Sequence, residues 1–258
     1  MIEVTHLSKE FSLTKKQMKE SGATERKIRV VNDLSFSCKP GRVFSLLGPN
    51  GAGKTTTQRM IASLLKPTSG KILVAGHDVQ RESASARRKM GFLTGSTGLY
   101  DRLTPFETVR YFADLYGVDR ATFKKRQEHL FNLLDMNDFA HKRIGELSTG
   151  MKQKVSISRT MIHDPEVVVF DEPTSGLDVI TAENIIQLVR DCRNQGKTVI
   201  FSSHIMSEVD LLADDLAIIH KGSLVYKDTM DNFRGQMQAE SLTKEFIRII
   251  NEANTSES

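Results

Sequence analysis

The sequence predicts an α/β domain built on a largely parallel sheet and interrupted by an all-helical insertion. Three observations predict it. Short β-branched or aliphatic runs alternate with helical periodicity along most of the chain. The alternation fails between Pro105 and Ile162, where helix follows helix with no convincing strand, and Pro105 and Pro165 lie near the edges of that stretch. A glycine-rich turn follows one apolar run and opens a helix.

In chain order, strand-like runs fall at 28–31, 43–47, 72–74, 167–170, 198–201, 216–219 and 224–226. The run at 167–170 is four apolar residues in a row, as suits a strand covered on both faces. Helical periodicity marks 54–65, 105–115, 123–134, 151–162, 180–193 and 206–212. The polar, basic segment 15–27, with Ser21-Gly22, reads as a solvated hairpin or loop, or as a contact for a partner or anionic headgroups. Phe246, Ile247, Ile249 and Ile250 suit a short helix that docks on the domain or serves a dimer contact, and residues 251–258 read as a frayed polar tail.

At 258 residues the chain holds one large domain or two small ones. Its 39% hydrophobic and 26% charged content excludes a low-complexity disordered chain. Lys and Arg exceed Asp and Glu by 36 − 32 = 4, too small and too dispersed a surplus to point to nucleic acid or lipid. Cys38 and Cys192 have no metal-type spacing, which argues against a zinc site or disulfide scaffold and for a reducing compartment. No apolar run reaches the ~18–20 residues that a membrane-spanning helix needs. The opening Met1-Ile2-Glu3-Val4 lacks a basic region followed by an apolar stretch. The expectation is a cytosolic protein whose membrane role comes through a partner.

Gly48-Pro49-Asn50-Gly51-Ala52-Gly53-Lys54-Thr55 fits the phosphate-loop pattern G-x-x-x-x-G-K-[ST] in its required strand–turn–helix setting. Its low bulk lets backbone amides converge on phosphate oxygens, and the helix N-terminus adds partial positive charge. Lys54 reaches the β- and γ-phosphates, the Thr55 hydroxyl ligates Mg²⁺, and Thr56 joins the nucleotide-contacting set. The strand at 167–170 ends in Asp171-Glu172, where open α/β sheets bind ligands. Successive strand residues point opposite ways, so the two acids divide the work. Asp171 holds Mg²⁺ through its water shell, and Glu172 polarises the attacking water. Such a pair also suits a plain turn cap; the phosphate loop upstream favours catalysis.

Three further segments complete a pattern that resembles the ATP-binding subunits of ABC transporters. Leu147-Ser148-Thr149-Gly150-Met151 is similar to the family signature, usually Leu-Ser-Gly-Gly-Gln. Ser175-Gly176-Leu177-Asp178 is similar to its D-loop, and Ser202-Ser203-His204 to its switch histidine. The five motifs occur in the family's order over nearly all of residues 1–234.

The resemblance implies a P-loop NTPase (RecA-like) core with an antiparallel β subdomain and an inserted α-helical subdomain. The ATP-binding domain would cover 1–235, with the insertion at about 95–164 and a basic loop at 14–28; a short C-terminal helix and tail would cover 236–258. It also implies a Mg²⁺-dependent ATPase in which two copies sandwich two nucleotides head to tail. Ser148, Thr149 and Gly150 of one copy would meet the γ-phosphate held by Lys54 of the other. His204 would hydrogen-bond that phosphate, Asp178 would communicate across the dimer, and Phe11 would stack on adenine. Ser148 is also a plain helix cap, and Phe11 also suits core packing.

Departures accompany the match. The glutamine that the family places after the strand at 91–94 is absent from Gly95-Ser96-Thr97, where a hydroxyl of Ser96 or Thr97, or a water, would stand in. Thr149 and Met151 replace Gly and Gln in the signature, and the Cβ branch of Thr149 would weaken phosphate contact across the dimer. Residues 95–105, with Tyr111-Phe112 and Leu115-Tyr116-Gly117, are similar to the sodium-efflux (NatA-type) group, whose members pair with a separate ABC-2 permease. That implies residence at the cytoplasmic membrane face and sodium as cargo, with export of drugs, lipids or polysaccharide as the alternative. A ribosome- or DNA-acting relative would carry two such domains or a long coiled coil, and a GTPase would carry Asn-Lys-x-Asp; none of these is in the sequence.

Overall fold

The computed structural model describes residues 1–15, 18, 26–94 and 98–255. Most of the basic segment 14–28, and Gly95, Ser96 and Thr97, lie outside the described residues. The chain begins with β1 (Ile2–Ser12), β2 (Lys27–Cys38) and β3 (Val43–Leu47), followed by α1 (Lys54–Ile61). Then come β4 (Ser69–Val74), β5 (His77–Asp78), α2 (Ser83–Arg88) and β6 (Met90–Thr94). The helical stretch holds α3 (Pro105–Leu115), α4 (Arg120–Leu133) and α5 (Thr149–Met161). Next are β7 (Val167–Asp171), α6 (Val179–Asn194), β8 (Thr198–Ser203), α7 (Met206–Leu212) and β9 (Asp215–His220). Last are β10 (Ser223–Thr229), α8 (Met230–Gln236) and α9 (Leu242–Thr255).

Two sheets organise these elements. One is antiparallel, in the order β2-β1-β4-β5. The other runs β10-β9-β3-β8-β7-β6, parallel except for the edge strand β10. The parallel strands alternate between two cores. Val168 and Phe170 of β7 face a core shared with α3–α7, while Val167 and Val169 face one shared with the antiparallel sheet and α1. An unbroken apolar run is therefore what β7 requires.

Each helix of the insertion starts on a polar cap. Thr104 and Glu107 form a reciprocal capping box with Pro105 in the first turn of α3, Asp119 caps α4, and Ser148 caps α5. Arg126 of α4 donates to Asp164 at 3.0 Å, and Lys197 donates to the same carboxylate, joining the insertion to the core.

Two expectations are revised. Residues 251–255 are helical rather than tail, because α9 continues to Thr255. Ile249 is buried, Phe246 and Ile250 pack on the core, Arg248 bridges Glu245 and Glu252, and Asn254 meets the His220 ring at 2.9 Å. Glu172 is not a strand residue: β7 ends at Asp171, and Glu172 takes a left-handed backbone with φ 49°. Alternation along a strand therefore does not separate the two acids. A turn does. No helix among the described residues is long and apolar enough to cross a membrane.

Candidate active site

The phosphate loop is moulded by backbone on both flanks. A Cβ on Gly48 would lie 2.3 Å from the Ile219 carbonyl oxygen, and one on Gly53 would lie 2.7 Å from that of Val30. Gly53 also has φ 106°, a conformation that side chains disfavour. The Gly222 amide donates to the Ala52 carbonyl at 3.0 Å, and the Asn32 amide donates to the Gly222 carbonyl at 2.8 Å, tying the loop to the β9–β10 turn and β2. Gly53 caps α1 without a side chain, and no acid stands in the first turn. The leading amides are left for an anion.

Lys54 is buried and donates to the Gly48 carbonyl at 2.6 Å and the Pro49 carbonyl at 3.2 Å. Burial pushes its ammonium pKa down, while Glu172 and Asp171 push it back up. Its Nζ lies 3.8 Å from Glu172 Oε1. Backbone carbonyls and a carboxylate thus surround the charge that suits triphosphate oxygens.

Strand register collects the remaining groups. Asp171 pairs with Ser202 across β7–β8, and Leu46 pairs with Ser202 across β3–β8, so the carboxyl ends of three strands adjoin. Thr55 Oγ1 and Ser202 Oγ both donate to Asp171 Oδ1, at 3.0 and 2.9 Å. His204 Nδ1 lies 3.4 Å from Glu172 Oε2. Just before it, Ser203 Oγ donates to Glu208 at 2.8 Å and accepts the Ile205 amide at 3.0 Å, fixing the turn that carries the histidine. Thr94 pairs with Asp171 across β6–β7, so the last residue of β6 lies beside this carboxylate. Thr55 and Asp171 are hard oxygen donors side by side. Mg²⁺ keeps most of its water and takes one or two protein oxygens plus phosphate, so this donor pair fits it.

Ser148, Thr149, Gly150 and Asp178 form a second cluster. Ser148 is exposed, and its hydroxyl accepts the Met151 amide at 3.2 Å. A Cβ on Gly150 would lie 3.5 Å from Asp178 Oδ2 and from Thr181 Oγ1. Asp178 caps α6 through the Thr181 amide at 2.9 Å and hydroxyl at 2.8 Å, and these bonds hold its carboxyl below the ordinary range. Gln153 of α5 donates to the Pro173 carbonyl at 3.1 Å, linking this cluster to the turn beyond the acids. Phe11 is partly exposed on β1 opposite Ile28, with Lys9 Nζ 5.0 Å above its ring, on the hairpin whose Val30 carbonyl abuts the phosphate loop.

Sequence reasoning missed two buried contributors, Gln58 and Ser202. Their signals were present: a glutamine one helical turn after Lys54, and a serine following the apolar run of β8.

The model of the ABC transporter family matches residues 31–175. The ABC transporter ATP-binding protein NatA of Bacillus subtilis (strain 168) is 40% identical over 96% of this chain and 97% of its own. The linearmycin resistance ATP-binding protein LnrL of the same organism is 35% identical over 87% of this chain and 72% of its own. The bacitracin transport ATP-binding protein BcrA of Bacillus licheniformis is 34% identical over 79% of this chain and 66% of its own. Among solved structures, an ATP-binding subunit of an ABC transporter superposes with a TM-score of 0.84 at 27% identity, covering 96% of this chain and 99% of that one. The dimeric bacterial ABC transporter cassette MJ0796 superposes with a TM-score of 0.77 at 25% identity, covering 89% of this chain and 99% of that one.

Proposed function

The chain belongs to the ABC transporter family of ATP-binding domains and is an ATPase, and from that premise we propose that it drives an exporter through a separate ABC-2-type permease. The observation that carries this reading is the meeting of Lys54, Thr55, Asp171, Glu172 and His204 at the ends of β3, β7 and β8. ATP enters with its phosphates on the amides of Gly51, Gly53, Lys54, Thr55 and Thr56, flanked by Pro49, Asn50 and Ala52, and with adenine against Phe11. Lys54 turns from the loop carbonyls to the β- and γ-phosphates. Thr55 and Asp171 would hold Mg²⁺, which would supply positive charge to offset that of the phosphates. Glu172 takes the proton of the attacking water, and His204, beside Glu172, hydrogen-bonds the γ-phosphate.

The second cluster supplies the coupling. Ser148, Thr149 and Gly150 of a second copy meet the γ-phosphate, and Asp178 lies against that signature within its own chain. A ligand drives a switch only by binding one state better than the other. The γ-phosphate does so here because the separated state lacks half of its contacts. Hydrolysis removes the shared anion and lets the copies part. The insertion carries the motion to a permease docked near Tyr100, Tyr111 and Leu115, which expose large apolar side chains. In this reading the protein works at the cytoplasmic membrane face.

Sodium efflux is the cargo reading, from the NatA-like segment after residue 94. The similarity to the linearmycin resistance and bacitracin transport proteins favours antibiotic export as a second reading. Ion flux in vesicles holding this chain and its co-purifying membrane subunit decides between them. For the ATPase site, Glu172→Gln lowers turnover by ~10²–10⁴, the scale of a positioned base. ATP binding survives and a nucleotide-locked dimer accumulates in gel filtration. Wild-type turnover in that variant removes Glu172 from its role.

A further inference from the structure

Behind the two acids stand side chains with no task in the mechanism above. Gln58 and Ser202 are fully buried. Ser202 Oγ accepts the Glu172 amide at 3.1 Å, donates to Asp171 Oδ1 at 2.9 Å, and lies 3.2 Å from Gln58 Oε1. Gln58 Nε2 donates to the Phe170 carbonyl at 3.0 Å. One hydroxyl carries one proton, so Ser202 serves Asp171 or Gln58 at any moment while still accepting from Glu172.

The neighbouring core favours other residues. Ile200 and Phe201 precede Ser202 in β8, and Met60 and Ile61 follow Gln58 in α1, all buried. Apolar side chains would fill both places without a need for hydrogen bonds, whereas buried amide and hydroxyl groups are costly unless satisfied. The bonds of this pair converge on three consecutive residues: the carbonyl of 170, the carboxylate of 171 and the amide of 172. At the third the backbone is strained, since Glu172 has φ 49°, a left-handed conformation that a residue with a Cβ disfavours. Such a conformation persists only where its surroundings fix it. Ser202 grips the peptide that enters this turn, and the turn sets the direction of the Glu172 carboxylate.

We propose that Gln58 and Ser202 are positioning residues for hydrolysis: by gripping residues 170–172 they hold the left-handed turn that aims Glu172 and the rotamer that presents Asp171. The inference rests on Glu172 being the base. It predicts an effect on turnover rather than on nucleotide binding, because Lys54 and the phosphate-loop amides hold ATP by separate contacts.

The test uses the full chain with Ser202→Ala, Ser202→Thr, Gln58→Met, Glu172→Gln and the double variant Ser202→Ala/Glu172→Gln. The readouts are kcat and KM for ATP, Kd for a fluorescent ATP analogue, and Tm. Ser202→Ala and Gln58→Met each lower kcat by about 10–100-fold, the scale for residues that orient a reacting group from behind. KM and Kd stay near wild type, and Ser202→Thr, which keeps the hydroxyl, recovers most of kcat. In the Glu172→Gln background Ser202→Ala costs less than it does in the unsubstituted chain, since the part that acts through Glu172 is already lost. Wild-type kcat in Ser202→Ala and Gln58→Met, with Glu172→Gln inactive, overturns the proposal and leaves the base in place. Wild-type kcat in Glu172→Gln removes the base itself. A joint fall of Tm, binding and turnover in Gln58→Met, which keeps the buried volume, marks the pair as merely structural and also overturns the proposal.

Discussion

Lys54 shows how one residue serves two states. Its buried ammonium rests on the Gly48 and Pro49 carbonyls and lies 3.8 Å from Glu172, and in the proposed mechanism it turns from them to phosphate. A charge-assisted hydrogen bond contributes about 1.5–3 kcal/mol. Lys54→Ala therefore weakens ATP binding by about 10–100-fold in equilibrium titration; unaltered affinity would contradict the cradle. The fold survives the change, because two carbonyls and a partly exposed carboxylate lose a partner that water replaces. Much of this site is legible from residue order alone, since the lysine, threonine and two acids stand at fixed offsets from a strand. What is not legible is the direction of Glu172. Its left-handed φ of 49° is imposed by tertiary contact with Ser202, and a glutamate after a strand carries no local mark of such a turn.

Element geometry explains which parts of the fold the sequence discloses. β3, β7 and β8 are covered on both faces, so apolar residues crowd both sides of each strand and the runs are easily read. β1 escapes because register shifts at Val4, Leu7 and Lys9, with His6 at φ 49°, break its period-two pattern. α2 escapes because only Ala86 of its six residues is buried. α5 is legible but starts earlier than its periodicity, at Thr149, because Ser148 supplies the cap. That cap is exposed and aims a helix N-terminus outward, which suits an anion held by another copy. A mixture of Lys54→Ala and Ser148→Arg subunits tests this placement. Half of each mixed dimer's composite sites carry both defects and the other half carry neither. Mixing thus restores ATP turnover that each variant alone lacks; a mixture as inactive as its components refutes the head-to-tail arrangement.

At the scale of the whole molecule, the insertion shares one hydrophobic core with the parallel sheet, and polar contacts and a ring stack fasten α5 and the residues after it to their neighbours. Arg126 and Lys197 share Asp164, Arg159 donates to the Gly98 carbonyl at 3.1 Å, and Tyr116 at the end of α3 stacks on His163 at 3.8 Å. Burial pushes the His163 pKa down from 6.5 to about 4, with Arg126 and Lys197 lowering it further against Asp164 and a backbone bond that raise it. Above pH 6.5 the ring is neutral in both folded and unfolded chains, and its titration costs nothing. Between pH 6.5 and about 4 the unfolded chain binds a proton that the folded chain refuses, so stability falls with pH across that window. The loss reaches about 2 kcal/mol by pH 4.5, at 1.36 kcal/mol per unit. His163→Phe keeps the stacked ring and removes the proton. Urea unfolding at pH 7 and pH 4.5 then gives a smaller drop for the variant than for the unsubstituted chain, by roughly that 2 kcal/mol. Carboxylates elsewhere titrate alike in both chains and cancel. Equal drops would mean that His163 takes up its proton within the fold, and that its stack with Tyr116 yields in acid before the domain does.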